Sequence, residues 1–287
     1  MREPVGFLGF GAMGSRMARR LAESGTAVSG WSRTKGRADG TPGIAMAVSA
    51  SVVAANCDVV LGCLLDDHAV EQVYLPLLDS ARPGQLFVEH GTFSPALARQ
   101  LAERAAQRGA NFVDAPVTGG PEGAAAGNLV AMVGASTHVF DRVRVVVEAY
   151  SRDVVRVGPS GRGLELKIVN QLLVSVHMAA AAEAAALLNA LEIDKDTALR
   201  VLGGGWAASA MVARELPRAM VGDFSNSGAS VGGLVEVQRL VAESYLAAGI
   251  QPRLLPLVRS LFVDTVKQGR GGLDPAALVQ LYQVAPA

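Results

Sequence analysis

The sequence predicts an α/β fold in two parts: a doubly wound domain over residues 1–160 and an all-α domain over residues 161–287. Before residue 158, short apolar runs alternate with helical patterns, and the first run leads into a glycine-rich turn. After residue 161 no strand pattern recurs, and a long interdomain helix joins the two parts. The length of 287 residues and the hydrophobic content of 50% allow each part its own core.

The first element is a strand over 5–8 that leads through a turn into a helical pattern over 15–24. The turn consists of Gly9, Phe10, Gly11, Ala12, Met13 and Gly14. Glycines let such a backbone fold tightly and approach a pyrophosphate, whose charge lies at the N-terminus of the following helix. This strand–turn–helix context predicts a Rossmann-type dinucleotide site.

A second strand over 27–31 ends in a polar segment that bears on cofactor choice. The segment contains Ser32, Arg33 and Thr34, and no acidic residue occurs between Thr26 and Ala38. An acid at this point usually binds the ribose 2′-hydroxyl of NAD, whereas an arginine accommodates a 2′-phosphate. We therefore expect NADP(H) to be preferred over NAD(H), with a solvated polar turn as the alternative interpretation.

Further strand signals occur at 58–64, 85–89, 111–115, 129–133 and 153–157, with helical patterns at 67–80, 95–108 and 137–150. Ligands of such a sheet bind beyond the carboxyl ends of the strands. That rule places Leu64, Leu65 and Thr92 on the cofactor side. It also places the turn of Thr118, Gly119 and Gly120 there, where successive backbone N–H groups can hold a carboxylate. A plain tight turn is the alternative for this segment.

The interdomain helix is predicted over 161–191 and would be about 40 Å long. Beyond Lys167 it is apolar almost all round, so we expect it to be buried on most faces. Lys167, Asn170 and His177 share one face. A buried lysine can act as an acid or base near neutral pH, although a first-turn lysine can also keep its ammonium in water. His177 is more simply interpreted as a core residue. Later helical patterns lie at 195–202, 209–220, 234–248, 253–268 and 275–282.

Composition argues against several classes of function. Lysine and arginine equal aspartate and glutamate at 26 each, and no dense basic run indicates nucleic acid or an anionic membrane. The N-terminus lacks the pattern of a signal peptide, which favours a cytoplasmic protein. Polar residues interrupt the long helix, so no transmembrane span is expected. We interpret Cys57 and Cys63 as buried thiols and expect no disulfide and no metal site.

Three motifs in order make nearly the whole chain resemble the β-hydroxyacid dehydrogenase family, which includes 3-hydroxyisobutyrate, tartronate semialdehyde and L-threonate enzymes. They are the segments 6–14, 114–120 and Gly161-x-Gly163-x-x-x-Lys167-x-x-Asn170-Gln171. The resemblance implies Lys167 as catalytic acid/base and Asn170 and Gln171 as substrate ligands. It also implies that Thr118, Gly119 and Gly120 bind the substrate carboxylate, that Thr92 contacts the nicotinamide half of the cofactor, and that the protein forms a homodimer or homotetramer.

One departure from the family pattern lies on a later helix. The family usually has a Lys-Asp pair there, whereas this chain has Glu236 and Val237. If Glu236 faced the active site, it would raise the pKa of Lys167; if it is solvated, it has no part in the site. An imine reductase on the same architecture and a non-catalytic NADP-binding protein are the alternative functions. The sequence does not identify the substrate or the physiological direction.

Overall fold

The computed structural model describes residues 4–34, 36, 40–225 and 228–282. Its contacts divide the chain into two compact units, Met1–Lys167 and Ile168–Ala287. The division falls inside the long helix, seven residues after the boundary expected from the sequence. Lys167 therefore belongs to the first unit, while Asn170 and Gln171 belong to the second.

The first unit is built on one mixed sheet. Its described strands are β1 Val5–Leu8, β2 Val28–Trp31, β3 Ile44–Met46, β4 Val59–Gly62, β5 Leu86–Glu89, β6 Asn111–Asp114, β7 Val117–Thr118, β8 Leu129–Gly134 and β9 Ser151–Gly158. The sheet order is β3-β2-β1-β4-β5-β6-β8-β7, and β9 also pairs with β8. Pairing is parallel from β3 to β6, and β8 runs antiparallel to β6 and β7. The predicted doubly wound fold is confirmed, but β3 and β7 were not predicted because they are too short to show a period.

Six helices cover the two faces of this sheet: α1 Gly14–Glu23, α2 Ala50–Asn56, α3 Asp67–Asp79, α4 Pro95–Ala106, α5 Gly120–Ala126 and α6 Thr137–Val147. Side chains alternate along a strand, so Phe7 packs in one core with α1, α5 and α6. Its neighbour Leu8 packs in the other core with α2, α3 and α4. The strands read as continuous apolar runs because both faces are covered.

The described residues of the second unit form helices joined by loops, and no strand occurs among them. The interdomain helix α7 Arg162–Ala190 leads into α8 Lys195–Gly203, α9 Ala210–Val221, α10 Val231–Ala247 and α11 Leu255–Thr265. A π-helical turn Val266–Arg270 and a 3₁₀ helix Pro275–Tyr282 follow. Among the described helices, α7 alone is long and apolar enough to cross a membrane by length and composition, a criterion that core helices of soluble proteins also meet.

A buried imidazole links the end of β5 to the turn between α6 and β9. His90 Nδ1 lies 2.7 Å from the carbonyl oxygen of Ala115 and must donate to it. Nε2 is therefore the acceptor, and the hydroxyl of Tyr150 donates to it over 2.8 Å. Burial lowers the pKa of His90 to about 4, so the ring is neutral at pH 7.

We expect Tyr150→Phe to lower the free energy of unfolding by about 1–3 kcal/mol, because it leaves a buried ring nitrogen without its donor. Tyr282→Phe is the matched control, since the Tyr282 hydroxyl bonds the exposed Glu183 over 3.3 Å. We expect that control to stay within about 0.5 kcal/mol of the parent. Urea unfolding of the parent and the two variants measures these free energies. Equal losses of unfolding free energy in both variants would contradict the role given to the bond between Tyr150 and His90.

Candidate active site

Two glycines of the turn after β1 are required sterically, and a third is not. Gly9 has φ +90°, and a Cβ there would lie 2.5 Å from the carbonyl oxygen of Cys63. A Cβ on Gly14 would lie 1.9 Å from the oxygen of Gly9, so α1 can approach β1 only without a side chain. At Gly11 a Cβ would meet nothing within 4 Å. Gly11 therefore borders open space, on the side where a pyrophosphate approaches such a turn.

The other predicted cofactor residues follow neighbouring strands of the same sheet edge. The segment after β2 contains Ser32, Arg33 and Thr34, of which Arg33 and Thr34 are exposed. Leu64 and Leu65 follow β4, and Leu65 is 80% exposed. Thr92 follows β5 and is half-buried. Because β2, β1, β4 and β5 are consecutive and parallel, their carboxyl ends bring these residues to one edge. Their contacts with a dinucleotide stay predictions.

The predicted carboxylate turn lies at the end of β7. Gly119 and Gly120 have φ values of +128° and +67°, which side chains rarely adopt. Thr118 is half-buried and Gly119 is exposed. The glycines are thus required by the backbone itself, and the turn is partly exposed.

Lys167 is buried, with 8% of its surface exposed. Burial lowers its pKa to about 8 because the ammonium form is desolvated. The alternative of a solvated first-turn lysine is therefore wrong. Asn170 lies three residues further along α7, on the same helical face, and is half-buried together with Gln171.

The first turn of α7 is held by a carboxylate that the sequence argument did not single out. Asp114, at the end of β6, accepts the N–H groups of Gly161 at 2.7 Å and Leu164 at 3.0 Å. A Cβ on Gly163 would lie 2.3 Å from the carbonyl oxygen of Met132, so this helix packs directly on the strands. Burial raises the pKa of Asp114 to about 6. The Gly-x-Gly spacing before Lys167 thus positions the lysine.

Glu89, at the end of β5, is a second buried carboxylate at this edge. Its Oε1 accepts the N–H groups of Leu64 at 2.8 Å and Gly91 at 2.7 Å, and Oε2 accepts the hydroxyl of Tyr74 at 2.9 Å. Burial raises its pKa to about 7. In the sequence, Asp114 and Glu89 could have been recognised as acidic residues at the end of an apolar strand.

The second unit contains the polar residues Glu236, His177 and Glu183. The Glu236 side chain is 74% exposed and pairs with Arg239 over 3.4 Å, so the solvated alternative holds. His177 is half-buried, and Glu183 accepts a bond from Tyr282 as a structural partner. Cys57 and Cys63 are free thiols. The described residues contain no group of three or more His, Cys, Asp or Glu that could hold a metal ion.

Two family models together match nearly the whole chain and meet just before α7. Residues 4–158 match the NAD binding domain of 6-phosphogluconate dehydrogenase, and residues 161–282 match the NAD-binding model of NADP-dependent 3-hydroxyisobutyrate dehydrogenase. An NAD-dependent L-serine dehydrogenase of Pseudomonas aeruginosa is 32% identical over 97% of this chain and 97% of its own. The chain belongs to the β-hydroxyacid dehydrogenase family. The 2-(hydroxymethyl)glutarate dehydrogenase of Eubacterium barkeri is 30% identical over 97% of this chain and 94% of its own.

Solved structures agree with the β-hydroxyacid dehydrogenase assignment. Mycobacterium tuberculosis 3-hydroxyisobutyrate dehydrogenase with L-serine matches with a TM-score of 0.87 at 28% identity, over 99% of this chain and 100% of that one. Psf3 in complex with NADP+ and 2-OPP matches with a TM-score of 0.91 at 27% identity, over 97% and 100%. Imine reductase from Pseudomonas sp., at 21% identity and a TM-score of 0.65 over 99% and 100%, shares the fold alone. The protein is an NAD(P)-dependent dehydrogenase of hydroxy acids.

The glycine turn yields a prediction with a built-in control. Gly11→Ala places a methyl group in open space, so the free energy of unfolding should stay within about 0.5 kcal/mol of the parent. The same methyl occupies the approach of the pyrophosphate, so dinucleotide affinity should fall at least about tenfold.

Gly14→Ala should instead destabilise the fold, because its methyl meets the backbone oxygen of Gly9. Thermal unfolding and fluorescence titration with NADPH and NADH separate the two effects. Parental affinity in Gly11→Ala would show that the dinucleotide does not approach this turn.

Proposed function

We propose that this enzyme transfers a hydride between NADP(H) and a small β-hydroxy acid or its semialdehyde or keto form, with Lys167 as acid/base. The observation that carries the proposal is the buried lysine whose pKa is lowered to about 8, on the helix turn held by Asp114. Asn170 and Gln171, which follow Lys167 on α7, bind the substrate. The turn of Thr118, Gly119 and Gly120 holds the substrate carboxylate.

The lysine supplies the proton transfer that must accompany hydride transfer. A bound nicotinamide would supply the hydride chemistry, as acceptor in oxidation of the carbinol carbon and as donor in reduction of the carbonyl carbon. In oxidation, the neutral amine of Lys167 takes the hydroxyl proton as the carbon–oxygen double bond forms. In reduction, its ammonium form gives that proton back to the carbonyl oxygen. A pKa of about 8 leaves both forms accessible near neutral pH.

Removal of this lysine should affect turnover and leave cofactor binding intact. We expect Lys167→Ala and the bulkier Lys167→Met to lower kcat by about 10²–10⁴-fold, with unchanged dissociation constants for the dinucleotide. In the parent, kcat/KM for oxidation should rise with pH through about 8, since only the neutral amine accepts a proton.

Glu236→Gln is the matched control for this profile. Its side chain is 74% exposed and pairs with Arg239, so the pH profile should not change. Activity of both Lys167 variants within a few-fold of the parent would reassign the base, and His177 would be the next candidate.

Cofactor preference is assigned to Arg33. It is exposed just after β2, where a 2′-phosphate would lie, and a charge-assisted hydrogen bond of this kind contributes about 1.5–3 kcal/mol. The parent should therefore bind NADPH at least about tenfold more tightly than NADH. Arg33→Ala should remove that preference by weakening NADPH binding, with NADH affinity as the internal control. Equal affinities in the parent, or tighter NADH binding, would contradict the assignment.

The substrate class is open to a direct screen. Relatives carry names that specify L-serine and 2-(hydroxymethyl)glutarate, which are small acids with a primary hydroxyl. We propose the same chemical class here. A turnover screen of 3-hydroxyisobutyrate, L-serine, L-threonate and 2-(hydroxymethyl)glutarate against cyclic imines, with both dinucleotides, distinguishes a hydroxy acid dehydrogenase from an imine reductase.

We also propose that the protein is a cytoplasmic homodimer or homotetramer. Leu166, Val169 and Leu173 lie three and four residues apart on α7 and are 42%, 53% and 50% exposed. An apolar stripe of this kind on a helix is expected to be covered by another surface. The particle mass in solution, measured by light scattering, tests the proposal.

A further inference from the structure

Glu89 is fully buried at the carboxyl end of a central strand, and no cation among the described residues forms an ion pair with its carboxylate. Its carboxylate accepts the N–H groups of Leu64 and Gly91 and the hydroxyl of Tyr74. The backbone N–H of His90 also lowers its pKa. Burial of a carboxylate without a cation costs folding free energy, which raises its pKa to about 7. An apolar residue would suit the core better, so the carboxylate is retained at a cost to stability.

The two backbone donors belong to different loops. Leu64 follows β4 and Gly91 follows β5, and a single oxygen, Oε1, accepts both N–H groups at 2.8 and 2.7 Å. One atom therefore sets the spacing of the two loops. The surrounding backbone is shaped for it, because a Cβ on Gly62 would lie 2.3 Å from Oε2 and a Cβ on Gly91 would lie 2.8 Å from Oε1.

These two loops are the ones that carry Leu64, Leu65 and Thr92. We propose that Glu89 is a positioning residue that holds the loops 64–65 and 91–92 at one spacing and thereby sets the affinity for the nicotinamide half of the dinucleotide. The proposal rests on the cofactor contacts assigned above to these loops. Glu89 does not touch the dinucleotide, since its side chain is wholly enclosed.

The charge state of the carboxylate gives the proposal a second signature. Oε1 of the ionised group accepts both N–H groups as charge-assisted bonds, which are about twice as strong as neutral ones. Protonation at Oε2 would weaken both, so dinucleotide affinity should fall as the pH drops below about 7. The titratable group that acts on Glu89 is Tyr74 from α3, whose hydroxyl lowers the pKa of the carboxylate. Glu89 in turn raises the pKa of Cys63 after β4, which Lys167 lowers.

The test compares Glu89→Ala and Glu89→Gln with the parent protein. Glu89→Ala should weaken NADH binding at least about tenfold, because both loop bonds are lost. Glu89→Gln should rescue it to within about threefold, since the amide oxygen can accept both N–H groups and the amide nitrogen can donate to Tyr74. Between pH 6 and 8 the Gln variant should lose the part of the pH dependence that Glu89 contributes. NADH is the probe because it lacks a titrating 2′-phosphate.

Tyr74→Phe is the matched control for stability. It removes the bond to Oε2 and leaves both loop bonds in place, so melting temperature should fall while NADH affinity stays within about twofold. If Glu89→Ala cannot be isolated folded, Gly91→Ala, which displaces the same loop, must produce the same loss of affinity.

The outcomes separate the inference from the proposed function. If Glu89→Ala binds NADH as tightly as the parent, or if affinity in the whole set simply follows melting temperature, the inference is wrong. If the parent binds neither NADH nor NADPH, the proposed function itself fails. The positioning role is established if NADH affinity is lost in Glu89→Ala, restored in Glu89→Gln and retained in Tyr74→Phe.

Discussion

The candidate site depends on one interaction: the carboxylate of Asp114 accepts hydrogen bonds from N–H groups at the start of α7. A helix N-terminus leaves four N–H groups without partners, and the carboxylate at the end of β6 satisfies two of them. The bonds register the helix on the sheet, so that Lys167, one turn further on, is buried at the same edge. The segment 114–120 contains both the acid that holds the helix and the turn at 118–120 for which substrate binding is proposed.

Three ionisable side chains, Asp114, Glu89 and Lys167, are buried at the edge formed by the carboxyl ends of the strands, where desolvation of a charge costs folding free energy. Burial raises the pKa of Asp114 to about 6 and that of Glu89 to about 7. Their folded-state pKa values lie above the unfolded ones, so the folded protein binds these protons more tightly and stability falls as the pH rises from about 4 to about 7. Lys167 has the opposite sign: its cost is complete below its folded pKa of about 8 and is relieved as the pH rises from there to about 10.5. Near neutral pH the fold therefore carries these desolvation costs together, which is typical of sites whose groups must transfer or orient protons.

Prediction from the sequence succeeded where a signal is local and strong. The glycine turn at 9–14, the alternation of strands and helices, and the long helix at 161–191 all follow from periodicity and from backbone freedom, and the structure reproduces them. The strands β3 and β7 were not predicted, because two or three residues are too few to show an alternating pattern. The buried state of Lys167 could not be decided, since a first-turn lysine can equally extend into water.

The sequence by itself determined the fold class, the dinucleotide turn and the family, because steric demands on glycine and the apolar pattern are properties of short segments. Only the tertiary structure decided which polar residues are desolvated and which share a partner. Asp114 and Glu89 meet N–H groups up to 50 residues away in the chain, and Glu236 pairs with Arg239 on its own helix instead of facing inward. The physical reason is that burial and hydrogen bonding between distant segments depend on the packing of whole elements, which no local pattern encodes.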